Sequence, residues 1–113
     1  MKNLKTKEEK EITRQERIVE NKRKHGFNTV NLNEEVRYLL GEVTEVMEAI
    51  EKGDKENLLE ELADVVIYAY GMAEIGKVGN LDEAIERKMC INEKREYKKD
   101  ERGRFIKVVN GAL

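Results

Sequence analysis

Between Val36 and Ile50, apolar residues return at intervals of three and four. Val36, Leu39, Leu40, Val43, Val46, Met47 and Ile50 share one face of a 3.6-residue repeat, and the pattern predicts an amphipathic helix. Asn31 or Asn33 suits its N-cap, Glu34 and Glu35 suit the positive end of its dipole, and Gly53 ends it. The next stretch is patterned differently. "LLEELADVVIYAY", residues 58–70, is almost wholly apolar after Leu62, and its "VVIY" is β-branched and aromatic, as strands are. Length decides against a strand. No Gly or Pro interrupts residues 55–70, strict alternation is missing, and strands of that length are rare. A helix is expected, capped by Asp54 and running to about Gly76. Being apolar nearly all round, it is expected to be central, with neighbours on several sides.

Two more polar helices flank this pair. Residues 8–24 lack Pro and Gly and carry a thin apolar stripe of Ile12, Ile18 and Val19, which predicts an edge-packed helix ended by Gly26. Asn80 and Glu83 resemble a capping box. The helix after them turns Leu81, Ala84, Ile85, Met89 (or Lys88) and Ile91 inward and runs to about Lys98. Residues 1–7 read as a Lys-rich arm. Residues 99–113 read as a tail whose "FIKVV" suits an edge strand, a hairpin arm or a docking segment. The expected fold is all-α, a single domain over residues 1–113 whose four helices form a bundle with short connections. A chain this short covers an all-apolar helix poorly, so a homodimer or homotetramer is expected to complete it.

Composition removes several function classes. Charged residues make up 41% of the chain, but 22 basic residues stand against 24 acidic ones, so no general basic field points to nucleic acid. No apolar run approaches the ~18 residues of a membrane span. "MKNLKTKEEKE" has no apolar core of the kind a secretory leader needs. A single cysteine, Cys90, allows no intrachain disulfide and fits a reducing cytoplasm. It is expected as a small packing residue, and His25, in the loop-like "KHGF", as a surface residue. No Gly-rich phosphate loop is present.

The chemistry lies in the acids. Glu42 and Glu45 are three apart on one helix, in a strip shared with Tyr38, Gly41 and Ala49 rather than with the solvated acids Glu48 and Glu51. Glu61 and Asp64 repeat the spacing on the next helix, with Tyr68 four beyond Asp64. A short turn at Gly53 lets the two strips face each other. Asp64, among Ala63, Val65, Val66 and Ile67, needs either a Lys or Arg partner or a metal, because a lone buried carboxylate is costly. Clustered carboxylates without histidine suit Mg²⁺ or Mn²⁺ better than zinc. Lys88, Asn92 and Arg95, at i, i+4 and i+7, give one face with two cations and an amide, suited to phosphate or simply to solvent.

The ordered set "LLGEVTEVMEAI", "LLEELADVVIYAY" and "ERKMCINEKREY" resembles the MazG-type all-α nucleoside triphosphate pyrophosphohydrolases over residues 12–97. The resemblance implies Mg²⁺-dependent cleavage of an NTP or dNTP to the monophosphate and pyrophosphate, as in nucleotide-pool house-cleaning. It implies Glu42, Glu45, Glu61 and Asp64 as catalytic metal ligands, Lys88, Asn92 and Arg95 as phosphate contacts, and Tyr68 beside the nucleotide. The chain departs from relatives in lacking a tryptophan ahead of the second helix, where only Phe27 stands. Phosphoribosyl-ATP pyrophosphohydrolase, which uses similar acidic helices, is the alternative within this fold. A non-catalytic helical interaction module is the alternative outside it. A ferritin-like di-iron site is disfavoured because no E-x-x-H occurs at either acidic pair.

Overall fold

The computed structural model describes residues 11–108. Among them are four helices and one short hairpin, in the order α1 (Arg14–Lys24), α2 (Leu32–Lys52), α3 (Lys55–Ile75), α4 (Leu81–Lys94), β1 (Tyr97–Lys99) and β2 (Phe105–Lys107). The all-α class follows. The expected arm at residues 1–7 and the end of the expected tail lie outside the described residues. No helix among the described residues is long and apolar enough to cross a membrane.

The chain divides into two compact units, one reaching Leu81 and the other starting at Asp82. In the first, α3 packs against both α1 and α2. Each helix begins at a residue whose side chain accepts from the free first turn. Thr13 Oγ1 accepts from the Glu16 amide at 3.1 Å while Glu16 Oε1 accepts from the Thr13 amide at 3.0 Å, a reciprocal capping box. Asn31 caps α2 by accepting from Glu34 N at 3.2 Å, and Asp54 caps α3 by accepting from Asn57 N at 3.0 Å. Gly53 ends α2 at φ 67°, a left-handed conformation that glycine adopts without steric cost. With Asp54 immediately capping the next helix, two residues suffice to fold α3 back along α2. The first helix is therefore shorter than expected. Residues 11–13 are not helical and it starts at Arg14, where the Thr13 box fixes its first turn; residues 8–10 of the expected helix lie outside the described residues.

Gln15, nearly fully buried, ties the far end of this unit together. Its Nε2 donates to Glu74 Oε1 (3.1 Å) and Gly79 O (2.8 Å), and its Oε1 accepts from Leu81 N (2.8 Å). One amide thus joins α1 to the end of α3 and satisfies an amide at the start of α4. Val19, Ala49, Tyr70 and Ala73 form the buried apolar core. The central position expected for α3 is met within this unit only on the sides that α1 and α2 cover. Leu62 and Val66 on α3, and Leu40, Met47 and Ile50 on α2, stay exposed.

The second unit holds α4 and the hairpin. The helix ends at Lys94, not near Lys98, because residues 97–99 pair antiparallel with residues 105–107. Asp100 shapes the turn by accepting from the amides of Arg102 (2.9 Å) and Arg104 (2.8 Å) and from Arg104 Nε (3.1 Å). These bonds, the Arg104 amide first, hold its carboxyl below the usual range. The inward face expected of α4 is only partly sheltered. Leu81 and Ala84 are half-buried, whereas Ile85, Met89 and Ile91 are exposed.

Candidate active site

The turn at Gly53 brings the acids of α2 and α3 together. Glu42, Glu45 and Glu61 each offer one carboxylate oxygen, and these three oxygens lie within 4.8 Å of one another. Glu42 and Glu61 are half-buried and Glu45 is exposed. Like charges this close repel by roughly 4 kcal/mol per pair at ~4 Å and an effective dielectric of ~20. Protonation is the response of the metal-free site. Hydrogen bonding with the Glu45 carboxyl, then burial, pushes Glu61 up to about 7. Glu42 is also raised, by burial first and then by Glu45, while its contact with Glu61 pulls the other way.

The donor set fits a hard divalent cation. Glu42 Oε2 and Glu61 Oε2 are buried and have no hydrogen-bond partner among the described residues. Carboxylate oxygens left without donors, with no histidine or thiolate among them, suit Mg²⁺ or Mn²⁺. Asp64 lies one turn beyond Glu61, half-buried, outside the three-oxygen cluster but lining the same cleft as Glu42. It makes no ion pair with a Lys or Arg among the described residues, so that explanation of its place in an apolar run is not the one seen.

The cleft has a volume of about 770 Å³, and Glu42, Asp64, Ile67 and Tyr68 contribute to its α2–α3 side. Tyr68 is half-buried, with its ring centroid 6.1 Å from that of Tyr38. Burial, then the carboxylates Glu35, Glu42, Asp64 and Glu45 in turn, raise its hydroxyl above the ordinary tyrosine value. The expected strip is thus assembled as a neighbourhood: Tyr68 lies within electrostatic reach of acids from both helices.

Sequence reasoning missed a buried ion pair at this cleft. Lys22 Nζ lies 2.6 Å from Glu35 Oε1, off the hydrogen-bonding direction, and the Glu35 side chain is 0% exposed. Asn28 Nδ2 donates to Glu35 Oε2 at 3.0 Å, and Lys22 Nζ also sits 4.7 Å from the Tyr68 ring centroid. Gly71 of α3 makes room for the lysine: a Cβ there would stand 3.3 Å from Lys22 Cε. No spacing rule links residues 22 and 35. A glycine inside an otherwise apolar helix, where another chain segment approaches closely, was the available signal.

In the second unit, Lys88 and Asn92 are exposed on α4, and Arg95 follows its last residue. Arg95 Nη1 donates to Asn92 Oδ1 at 2.9 Å, so two of the three expected phosphate contacts already touch. Cys90 corrects its expectation. It is exposed rather than packed, with Sγ 3.6 Å from Glu86 Oε1. His25 is at the surface as expected, stacked on Phe27 with centroids 5.5 Å apart.

The family model of the MazG nucleotide pyrophosphohydrolase domain matches residues 31–98. The chain belongs to the MazG family. That match spans the four acids of α2 and α3 together with Lys88, Asn92 and Arg95, and begins after α1. No curated protein and no solved structure matches the chain. Membership of the MazG family points to a nucleotide pyrophosphohydrolase, and the cluster of acidic residues is consistent with a metal-dependent one.

The raised Glu61 has a consequence for stability. Its carboxyl binds a proton more tightly in the folded chain than in the unfolded one, where the ordinary value is 4.5. The folded state therefore holds the extra proton between about pH 4.5 and 7, and stability falls as pH rises through that window. We expect the melting temperature in chelator to drop from pH 4.5 to pH 7.5, and millimolar Mg²⁺ to reverse the drop at the upper end. Glu61→Gln should flatten the profile. A wild-type profile that rises across this window would refute the assignment.

Proposed function

We propose that this MazG-family chain hydrolyses the α–β phosphoanhydride of a nucleoside triphosphate, (d)NTP plus water giving (d)NMP and pyrophosphate, in a Mg²⁺- or Mn²⁺-dependent reaction. The observation that carries the reading is the convergence of Glu42, Glu45 and Glu61 on one point, with buried oxygens that lack donors, at the edge of a cleft large enough for a nucleotide. Glu42, Glu45, Glu61 and Asp64 would hold the cation. When bound, it would supply Lewis acidity toward the phosphate oxygens and lower the pKa of water.

The chain's own residues do the rest. A glutamate of the cluster accepts the proton of the attacking water. Lys88, Asn92 and Arg95 contact the phosphates, and the Tyr68 ring packs beside the nucleoside. Phe27, exposed and lining the cleft, is the aromatic available to the base in a chain without tryptophan. The exposed apolar residues of α2 and α3 suit a homodimer or homotetramer that covers them. The setting proposed is cytoplasmic, and the role one of clearing unwanted nucleotides from the pool, with neither nucleic acid nor membrane as a partner.

A panel of the ribo- and deoxyribonucleoside triphosphates and phosphoribosyl-ATP, incubated with the purified chain and Mg²⁺, tests this. The expected products are pyrophosphate and a nucleoside monophosphate, lost on adding chelator. Turnover of phosphoribosyl-ATP alone would move the chain to the alternative branch of the fold. No turnover of any member would make the chain a helical interaction module.

A further inference from the structure

We propose that α1 supplies a second phosphate-binding row, Arg17, Asn21 and Lys24, facing the acidic side of the same cleft. The inference rests on the pyrophosphohydrolase reading above and names the groups that would hold the substrate's phosphate chain. The three residues stand at i, i+4 and i+7, so on an α-helix they fall within one narrow face, along a row about 10 Å long. All three line the cleft to which Glu42 and Asp64 contribute from α2 and α3. They repeat, one helix earlier, the side-chain pattern of Lys88, Asn92 and Arg95: a cation, an amide four residues on, and a cation three residues after that. The α1 set lies outside the residues matched by the family model, so it is a property of this chain's own first helix.

The charges on this side are free to act. Arg17 and Lys24 are exposed and make no ion pair among the described residues, and no side-chain hydrogen bond uses the Asn21 amide. Glu20 also lines the cleft, but Arg23 engages it at 2.8 Å. Lys22, deeper, is committed to Glu35. An acidic peptide would meet the uncompensated carboxylates of Glu42 and Asp64 across the cleft. A polyphosphate carrying a divalent cation fits both sides, because the cation answers the acids while the phosphate oxygens answer Arg17 and Lys24. Arginine offers a bidentate fork to a phosphate, lysine a mobile point charge, and the asparagine amide a neutral donor between them.

Two measurements on wild type and on the Arg17→Gln/Lys24→Gln double variant test the row. Calorimetry follows binding of inorganic tripolyphosphate with Mg²⁺, and steady-state kinetics follows pyrophosphate release from the best triphosphate of the panel. Both side chains are exposed, so unchanged circular dichroism and melting are expected. The row predicts tripolyphosphate affinity weakened about tenfold or more, KM raised by a similar factor and kcat held within about twofold. The charge-conserving Arg17→Lys/Lys24→Arg variant should recover most of the affinity. Unchanged affinity and KM in the double variant, with wild type active, would overturn the row and leave the reaction standing. Wild type inactive on every nucleotide, with tripolyphosphate binding lost in the variant, would support the row and remove the reaction. A fall in kcat with KM and affinity held would also overturn the row as a binding surface.

Discussion

Glu45→Gln and Asp64→Asn each lower pyrophosphate release by about a hundredfold or more while leaving the fold intact; that is the largest functional effect expected of any single substitution here. The two changes keep side-chain volume and remove one negative charge. Glu45 contributes an oxygen to the three-carboxylate cluster, so its loss leaves a cation with fewer charged donors. Asp64 stands outside that cluster but lines the cleft with Glu42 and has no Lys or Arg partner among the described residues, so its charge is available to a bound cation. The metal-free variants should melt no lower than wild type at pH 7.5, because like-charge repulsion among the acids falls when one is neutral. That pairing of results separates catalysis from structure. Loss of activity together with a collapse in melting temperature would mean that the acids serve the fold. Full activity in either variant would remove that residue from the centre.

Much of this fold can be read from local pattern, and the exceptions have physical causes. The 3/4 spacing of α2, the caps at Asn31 and Asp54 and the stop at Gly53 are strong local signals, and the structure uses each of them. The start of α1 was obscured by composition. Residues 8–13 are as helix-favouring as those that follow, and only the Thr13–Glu16 box, reading T-x-x-E, fixes the first turn. The end of α4 failed for the opposite reason. "EYKK" carries no breaker, but Asp100 and the turn it organises give residues 97–99 a strand partner instead. The acidic site was legible because its spacing repeats on two helices joined by a minimal turn. The role of α1 was not, since its polar residues read as an ordinary solvated face. Which of them point into a cleft depends on how α1 crosses α3, and no local spacing encodes that.

Lys22→Met is expected to be the most destabilising of the changes considered, by about 3–5 kcal/mol. It leaves the Glu35 carboxylate fully buried with Asn28 as its remaining partner. A loss of that size would shift the melting temperature of a chain this long by roughly 10 °C or more. The pair itself need not be worth so much, because desolvating both ions offsets most of their attraction. The cost arises from breaking it on one side only. Glu35→Gln should cost less. It keeps an oxygen and an amide near Asn28, and it leaves Lys22 with the Tyr68 ring and a short path to solvent, its side chain being 11% exposed. Lys22→Met combined with Glu35→Leu removes both charges and should recover most of the lost stability, so the coupling in the cycle should exceed about 2 kcal/mol. Denaturant unfolding of the four proteins measures it. A single Lys22→Met variant within about 0.5 kcal/mol of wild type would show that water reaches Glu35, and the buried pair would then have no part in fixing α1 to α2. With the pair confirmed, Gly71→Ala becomes a milder probe of the same contact. The new methyl group would press on the Lys22 stem at 3.3 Å, so the lysine must give by a few tenths of an ångström, and its ammonium, over the Tyr68 ring, moves with it. A change in substrate KM that accompanies such a shift, with stability held, would tie the ion pair to the shape of the cleft as well as to the packing of its walls.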